Sequence, residues 1–283
     1  MPENLDAPLV ERQALTGAYV LLTFRHPRIA HEARAGQFVM IRASTLTEPL
    51  LRRPFSIMTV DPQRDTFSLF LKAVGPGSRG LADLKPGEVA PCLGPLGQPF
   101  PDLPEGESAV VVAGGYGIAP FFLFSQQMLR AGELPKVFYG GRTVADLQLL
   151  DEFARLGVRV ETATDDGSAG HHGRVTEPLE RHLALSRTKQ RVYASGPDAM
   201  LHAVARVAEA AGVTAHVSLD PWMGCGVGTC LGCVVWIQGA ADAAPHRRCA
   251  CTEGPVFDAS EVVWRGETQS FAHRAATGRG GPA

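Results

Sequence analysis

The chain has 283 residues, of which 45% are hydrophobic and 20% are charged, with 31 Gly and 21 Pro. This composition excludes a disordered or fibrous chain, and the length suggests two domains and an additional segment, since about 150 residues is usual for one domain. The formal charge of −2 (27 minus 29) and the lack of a basic run exclude nucleic acid as the expected partner. No apolar run approaches the roughly 20 residues that span a bilayer, so we expect a cytoplasmic protein without a membrane segment.

The first hundred residues consist of short apolar segments separated by Gly and Pro turns. Phe67, Leu69 and Leu71 recur at period two, which is typical of a strand. This pattern predicts an antiparallel β-barrel domain over residues 1–103. Its predicted strands are residues 18–24, 37–42, 55–60 and 66–73.

From residue 104 onward, apolar strands alternate with glycine turns and helices, which predicts an α/β domain with a parallel sheet over residues 104–218. The helix after Pro197 is the clearest, because Met200, Val204, Val207 and Ala211 form one apolar face. A Gly- and Cys-rich subdomain is expected over residues 219–264, and residues 265–283 are expected to be a disordered tail. The predicted strands are 109–113, 136–139, 158–163, 191–195 and 214–218, and the predicted helices are 119–131, 146–156 and 197–211.

Five of the six cysteines lie between residues 225 and 251. Cys225, Cys230 and Cys233 have C-x4-C-x2-C spacing and Cys251 follows after 17 residues, which is the spacing by which plant-type ferredoxins hold a [2Fe–2S] cluster. Four thiolates complete the coordination of two irons, and the glycines between them let backbone N–H groups bond the sulfurs. From the spacing alone, structural zinc is an alternative, and Cys249 is an alternative fourth ligand.

A second candidate site lies in the barrel half, at Arg53-Pro54-Phe55-Ser56. A guanidinium can clamp a pyrophosphate, an aromatic ring can lie along a flavin, and a hydroxyl can bond the flavin or its ribityl chain. The alternative is an ordinary edge strand with solvated arginines. Phe70-Leu71-Lys72 leads into a turn at Gly77 and Ser78 whose N–H groups can bind the same phosphates.

Two glycine-containing turns follow predicted strands of the parallel sheet. Gly114-Gly115-Tyr116-Gly117 precedes one helix, and Ser195-Gly196-Pro197 precedes another. The phosphates of a nucleotide approach the backbone in this arrangement, although close packing of a strand against a helix also requires glycine. We therefore predict a dinucleotide site at Gly114, Gly115, Gly117, Ser195, Gly196 and Pro197. Arg142 leaves the choice between NAD and NADP open.

Several of these motifs together resemble a known family. Arg53-Pro-Phe-Ser, Gly94-Pro-Leu-Gly97 and the two glycine turns are similar to the electron-transfer subunit of NAD-linked, type B dihydroorotate dehydrogenase, and so is the cysteine loop ending in Cys251-Thr-Glu-Gly-Pro-Val-Phe257. The resemblance covers about residues 8–263 and places the chain in the ferredoxin-NADP reductase superfamily. It implies an FAD-binding barrel, an NAD-binding α/β domain and a C-terminal [2Fe–2S] loop.

The resemblance also implies roles for individual residues. It favours Cys251 over Cys249 as the fourth cluster ligand, because Cys251 stands two residues before Glu-Gly-Pro-Val-Phe. The chain departs from the family at Ser195, where cysteine is frequent, at Ser78, where threonine is frequent, and at Asp220, where glutamate is frequent. The implied FAD contacts are Arg53, Pro54, Phe55, Ser56, Phe70, Leu71, Lys72, Gly77 and Ser78, and the implied cluster ligands are Cys225, Cys230, Cys233 and Cys251.

The implied partner is an FMN-containing catalytic subunit that oxidises dihydroorotate in pyrimidine (UMP) biosynthesis, in a heterotetramer of two copies of each subunit. Electrons are expected to pass through [2Fe–2S] and FAD to NAD, and no catalytic residue is assigned in this chain. A related reductase subunit of a hydrogenase, a sulfite reductase or a ferredoxin-NADP transhydrogenase is an alternative with the same three sites. A further alternative is a non-enzymatic electron carrier or a zinc-stabilised binding module.

Overall fold

The computed structural model describes residues 4–43, 50–238 and 244–264. The predicted disordered tail, residues 265–283, lies outside the described residues. Among the helices of the described part, none is both long and apolar enough to cross a membrane.

The N-terminal part is a closed antiparallel barrel of six strands. The prediction of a barrel is confirmed, but the first and sixth strands were not predicted. The first strand mixes polar residues with Pro8, and the sixth contains Pro91, Gly94 and Pro95, so neither shows an apolar repeat. The strands are β1 (Asn4–Ala14), β2 (Tyr19–Arg25), β3 (Phe38–Ile41), β4 (Arg53–Asp61), β5 (Thr66–Lys72) and β6 (Val89–Leu96), with short helices α1 (Pro27–Glu32) and α2 (Pro76–Ala82).

The second part is a seven-stranded sheet flanked by helices, and six of its strands are parallel. The five predicted strands are present, and the structure adds a two-residue strand beyond the third. The strands of this part are β7 (Glu107–Gly114), β8 (Lys136–Gly141), β9 (Val160–Thr164), β10 (His171–His172), β11 (Lys189–Ser195) and β12 (Thr214–Ser218), and the helices are α3 (Ala119–Arg130), α4 (Leu150–Arg155), α5 (Thr176–Leu185) and α6 (Asp198–Ala210).

The C-terminal part forms a two-stranded hairpin and a strand that joins the parallel sheet. This last strand, β15 (Val256–Asp258), pairs antiparallel with β12 at the end of the order β10-β9-β8-β7-β11-β12-β15, so the sheet is not built from residues 104–218 alone. The hairpin strands are β13 (Val234–Ile237) and β14 (His246–Cys249), and the sheet strand is β15 (Val256–Asp258).

The predicted apolar face of α6 requires a correction. The buried residues of this helix are Leu201, Val204 and Ala208, spaced to face the sheet. Met200 is only partly buried, because its side chain packs against the turns after β7 and β11. The buried face of the helix is therefore shifted by about one residue from the predicted face.

The barrel and the sheet share one hydrophobic core. Phe100, which follows the barrel, stacks on Phe121 of α3 with ring centroids 5.2 Å apart, and its edge meets Tyr193 of β11 at 5.7 Å. Asp146, between β8 and α4, accepts hydrogen bonds from Lys72 Nζ at 2.9 Å and from Tyr19 OH at 3.0 Å. These contacts fix the orientation of the sheet relative to the barrel.

The C-terminal part packs against both of the others at close range. Gln98 N donates to the Gly254 carbonyl at 2.6 Å, next to an isolated bridge with Pro255. A Cβ on Gly226 would lie 2.5 Å from Met40 Cγ of β3. The cysteine loop is therefore held directly on the wall of the barrel.

A partly buried polar network joins three neighbouring strands near the amino end of the sheet. Arg191 Nε donates to Glu107 Oε2 at 2.8 Å, and Arg191 Nη1 lies 3.0 Å from His216 Nε2. Burial lowers the pKa of His216, and Arg191 lowers it further, against the opposing effects of Asp258 and Glu107. The folded state therefore favours the neutral imidazole, which accepts from Arg191.

Because the folded pKa of His216 is below the unfolded value of about 6.5, its contribution to stability is present above that pH and is lost on acidification. On going from about pH 7.5 to about pH 5.5, the free energy of unfolding should fall less in His216→Gln, which keeps a hydrogen-bond acceptor, than in the unaltered protein. Urea denaturation of the cofactor-loaded chain at both pH values measures this. The exposed His172→Gln is the control, and an equal pH dependence in all three proteins would contradict the prediction.

Candidate functional site

The cysteines of the C-terminal part lie as two neighbouring groups. The Cys225 and Cys230 side chains are hydrogen-bond partners, and Cys233 is the partner of Cys251. A [2Fe–2S] cluster takes two thiolates at each iron, so these two pairs fit its donor set. Cys249 also contacts Cys233, and it is therefore close enough to be an alternative to Cys251 as the fourth cluster ligand.

Backbone N–H groups point at the sulfurs, as the glycine-rich loop predicts. Val227 N and Cys230 N each donate to Cys225 Sγ at 3.4 Å, and Gly228 N donates to Cys251 Sγ at 3.2 Å. Burial raises the pKa of Cys225, but these amide donors and the Cys230 thiol outweigh burial and lower the pKa to about 6. A loop that supplies donors to sulfur suits thiolate ligands.

Among the described residues, no three His, Cys, Asp or Glu side chains converge as the ligands of a single metal ion would. The cysteines lie instead as two pairs, and a two-iron cluster requires one pair at each iron.

The outer side of the cysteine loop is apolar. Cys230 is exposed, and a Cβ on Gly224 would lie 3.3 Å from Cys230 Sγ and 4.0 Å from Leu51 Cδ1. Leu51, Trp222 and Leu231 are 54%, 60% and 62% exposed. We call these three residues the apolar rim. Exposed large apolar side chains grouped together mark an interaction surface.

The predicted FAD segment lies on β4, beside the cysteine loop. Arg53, Pro54, Phe55 and Ser56 are all partly buried, whereas the next residues of the strand enter the core. Arg53 Nη1 donates to the Leu51 carbonyl at 2.9 Å. The start of the strand thus presents a guanidinium, a ring and a hydroxyl at a surface that a flavin nucleotide can cover, which fits FAD.

Other predicted FAD contacts are occupied by the protein itself. Leu71 is buried in the barrel core, so only its backbone is available to a ligand. Phe70 stacks on Tyr19 at 5.3 Å, and Lys72 is paired with Asp146. Ser78 Oγ accepts from Val74 N and Gly75 N at 3.0 Å, so this hydroxyl holds the start of α2.

The predicted dinucleotide turns meet at the carboxyl edge of the sheet. Ser195 of β11 pairs with Ala113 of β7 and with Ser218 of β12, so the three strands end at the same level. Open α/β sheets bind ligands at this edge. The turns after these strands bring Gly115, Gly196 and Pro197 to one surface.

Two of the predicted glycines are needed for packing. A Cβ on Gly117 would lie 2.5 Å from the Ser195 carbonyl oxygen, and one on Gly114 would lie 2.7 Å from Met200 Sδ. Gly115 has open space around its Cβ position but a positive φ of +54°. Close packing of a strand against a helix, the alternative explanation for these glycines, therefore accounts for Gly114 and Gly117. Gly115 is the glycine whose Cβ position faces open space.

Sequence reasoning gave no functional role to three residues at this edge. Tyr116 lies between the turn glycines and is 51% exposed, Asp198 begins α6, and Asp220 follows β12. For Tyr116, the sequence signal that was available is an aromatic residue inside a glycine turn. The two carboxylates come together only because β11 and β12 are neighbours.

Three family models match successive parts of the chain. A model described as an oxidoreductase FAD-binding domain matches residues 6–100, and an oxidoreductase NAD-binding domain matches residues 111–206. The iron-sulfur cluster binding domain of dihydroorotate dehydrogenase B matches residues 220–263.

Curated relatives match over nearly the whole chain. The electron transfer subunit of dihydroorotate dehydrogenase B (NAD(+)) from Desulforamulus reducens is 37% identical over 264 residues, 93% of this chain and 100% of the relative. The same subunit from Bacillus caldolyticus is 38% identical over 239 residues, 83% of this chain and 90% of the relative.

Solved structures share the fold. A structure of an NADH-dependent reduced ferredoxin-NADP oxidoreductase, studied for flavin-based electron bifurcation, superposes with a TM-score of 0.79 at 31% identity, covering 91% of this chain and 90% of that chain. The ferredoxin reductase of carbazole 1,9a-dioxygenase has a TM-score of 0.66 at 24% identity and covers 75% of this chain and 67% of that chain.

The packing of the two turns gives a test. Gly117→Ala places a methyl group against a backbone carbonyl that cannot rotate away, so we expect a loss of about 1–3 kcal/mol of unfolding free energy, as for other overpacked sites. Gly75→Ala is the control, because its Cβ meets nothing within 4 Å. Urea denaturation compares the two, and equal stabilities would show that the turns are not in fixed contact.

Proposed function

The chain belongs to the family of the electron transfer subunit of dihydroorotate dehydrogenase B (NAD(+)), and we propose that it carries electrons from an FMN-containing catalytic subunit to NAD. It is an oxidoreductase subunit that uses FAD, a [2Fe–2S] cluster and NAD, and its role belongs to pyrimidine biosynthesis. The observation that carries the proposal is the packing of the cysteine loop on the wall of the barrel, where Gly226 meets Met40.

Each of the three parts of the chain would bind one cofactor or substrate. We propose domains over residues 1–103 for FAD, 104–218 for NAD and 219–264 for the cluster, in line with the three family-model matches. FAD, when bound, exchanges hydride with nicotinamide and single electrons with an iron–sulfur cluster. Arg53 and Ser56 would hold its phosphates and ribityl chain, and the turns at Gly115 and Gly196 would hold the dinucleotide.

Four cysteines would ligate the cluster: Cys225 and Cys230 at one iron, and Cys233 and Cys251 at the other. The amide donors to Cys225 and Cys251 support this assignment, since they stabilise thiolate charge. Cys249 lies on β14 opposite Val234 and belongs to the hairpin.

The assignment of Cys251, and not Cys249, as the fourth cluster ligand can be tested by substituting each cysteine separately. We expect Cys251→Ser, purified anaerobically, to lose the visible iron–sulfur absorption and most of its iron. Cys249→Ser should keep both. Iron analysis and the absorption spectrum of each protein measure this, and the reverse result would make Cys249 the fourth ligand. A colourless unaltered chain that contains zinc would support the binding-module alternative.

The catalytic partner would dock on the apolar rim. Cys230 is the exposed ligand of the loop, and Leu51, Trp222 and Leu231 around it would exclude water from the contact through which electrons enter. We propose a complex of two copies of each subunit, and the chain itself supplies no site for dihydroorotate.

The docking surface predicts an affinity change. Trp222→Ala and Leu231→Asp should weaken binding of the FMN-containing subunit by about tenfold or more, the usual cost of losing a central apolar contact. NADH-dependent reduction of a dye by the chain alone should not change. Leu185→Asp, at an 81% exposed leucine on α5, is the control. Binding that survives both rim substitutions would place the partner elsewhere.

A ferredoxin-NADP oxidoreductase subunit is a second candidate function. The solved structure with that description has the same fold over 91% of this chain at 31% identity. The two functions differ in the partner, so dihydroorotate-dependent reduction of NAD after mixing with the FMN-containing subunit distinguishes them. Orotate formation by this chain alone would contradict both.

A further inference from the structure

The hydroxyl group of Tyr139 lies at the centre of a buried hydrogen-bond network near the carboxyl edge of the sheet. Tyr139 lies on β8 opposite Ala113 of β7, and its side chain is fully buried. Its hydroxyl oxygen lies 2.8 Å from the Asp146 carbonyl oxygen and 3.0 Å from the Gly115 carbonyl oxygen. The same oxygen accepts from Gln148 N at 3.2 Å. A hydroxyl has one proton, so the two carbonyl groups share a single donor.

This network connects the backbones of two segments that follow neighbouring strands. Gly115 belongs to the turn after β7 and has a φ of +54°, and Asp146 belongs to the segment between β8 and α4. A glycine has no side chain to restrict its backbone, so hydrogen bonds from elsewhere must fix the orientation of its peptide group. Without the Tyr139 hydroxyl, buried backbone groups on both segments would lose a partner. The proposed function gives this hydroxyl no role.

The barrel holds the segment at Asp146 from the other side. Lys72 Nζ and Tyr19 OH donate to the Asp146 carboxylate at 2.9 Å and 3.0 Å, and the Asp146 side chain is only 14% exposed. Lys72 Nζ also lies 4.7 Å from the centre of the Tyr19 ring, which stacks on Phe70. Phe70 and Lys72 belong to β5, the strand of the predicted FAD contacts. Direct contacts therefore run from this strand, through Asp146 and Tyr139, to the Gly115 turn.

We propose that Tyr139 is a positioning residue for the dinucleotide, because its hydroxyl fixes the Gly115 turn to a segment that the barrel holds through Asp146. The inference rests on the proposed function, since it assumes that the Gly115 turn binds the dinucleotide. Tyr139 is fully buried, so it acts through the turn and not by touching the ligand. A turn that is already fixed in the free protein loses less conformational freedom when the ligand binds, which raises the affinity.

The substitution Tyr139→Phe tests this role, because it keeps the ring in the core and removes only the hydroxyl. Calorimetric titration of the oxidised, cofactor-loaded chain with NAD⁺ gives the dissociation constant. We expect about fivefold weaker binding, which corresponds to one hydrogen bond of ordinary net strength. In NADH-dependent dye reduction, KM for NADH should rise by a similar factor and kcat should change by less than about twofold, because the turn holds the substrate and the transition state equally.

The matched control is Tyr193→Phe. Tyr193 is another fully buried tyrosine of the same sheet, and its hydroxyl donates to the Pro101 carbonyl at 3.2 Å, not to a turn of the sheet edge. Each substitution removes a buried hydrogen bond and should lower the free energy of unfolding in urea. NAD⁺ binding should weaken in Tyr139→Phe and stay unchanged in Tyr193→Phe. An equal loss of affinity in both proteins would reduce the effect to a general loss of rigidity and overturn the positioning role.

The substitution Asp146→Asn tests the connection to the barrel. It removes the charge that pairs with Lys72 and leaves the backbone carbonyl that meets the Tyr139 hydroxyl. We expect about threefold weaker NAD⁺ binding, the effect of one partly buried ion pair. Combined with Tyr139→Phe, it should cause no further weakening, because both act through the same hydroxyl. Additive effects would show that Asp146 acts by another route and would overturn the connection.

The remaining outcomes separate this inference from the proposed function. Unchanged NAD⁺ binding in Tyr139→Phe would overturn the inference alone. If Tyr139→Phe does not fold, Asp146→Asn must still weaken NAD⁺ binding, and unchanged binding in that protein would overturn the inference. Failure of the unaltered, cofactor-loaded chain to bind NAD⁺ would instead contradict the assignment of the Gly115 turn to the dinucleotide, and with it the proposed function.

Discussion

The arrangement of the sites depends on close backbone approach at three glycines. Cβ atoms at Gly97, Gly117 and Gly226 would lie 2.6 Å from Pro255, 2.5 Å from Ser195 and 2.5 Å from Met40. These contacts join the barrel to the C-terminal segment, one sheet turn to the next, and the cysteine loop to the barrel wall. Because these contacts leave no room for a side chain at the three glycines, the sites cannot separate without breaking the packing of the chain itself.

The two ends of the electron path differ in surface chemistry. At one end, an exposed cysteine is surrounded by Leu51, Trp222 and Leu231, which suits contact with another protein surface. At the other end, a turn backbone, a tyrosine and carboxylates face solvent, which suits a small charged ligand. The shared core around Phe100 holds the barrel between them in one orientation relative to the sheet.

The sequence predicted those features that depend on local patterns. The cysteine spacing, the period-two strand at Phe67 and the strand-turn-helix units all give local signals, and the barrel and the sheet were both predicted from them. β1 and β6 were missed because barrel closure, and not an apolar repeat, makes Pro8 and Pro91 parts of strands. The hydrogen bonds of Tyr139 with Gly115 and Asp146 depend on which strands are neighbours, and periodicity carries no information about strand order.

The position of β15 affects the order in which the protein can fold. Residues 256–258 are translated after the strands 107–218 that they complete, so the backbone of β12 has no partner on that side while the intervening segment is made. An unpaired strand edge is prone to association with other chains. When β15 docks, it covers this edge and in the same movement draws Cys251 towards Cys225, Cys230 and Cys233. Protection of the sheet edge and assembly of the sulfur ligands therefore depend on the docking of the same short strand.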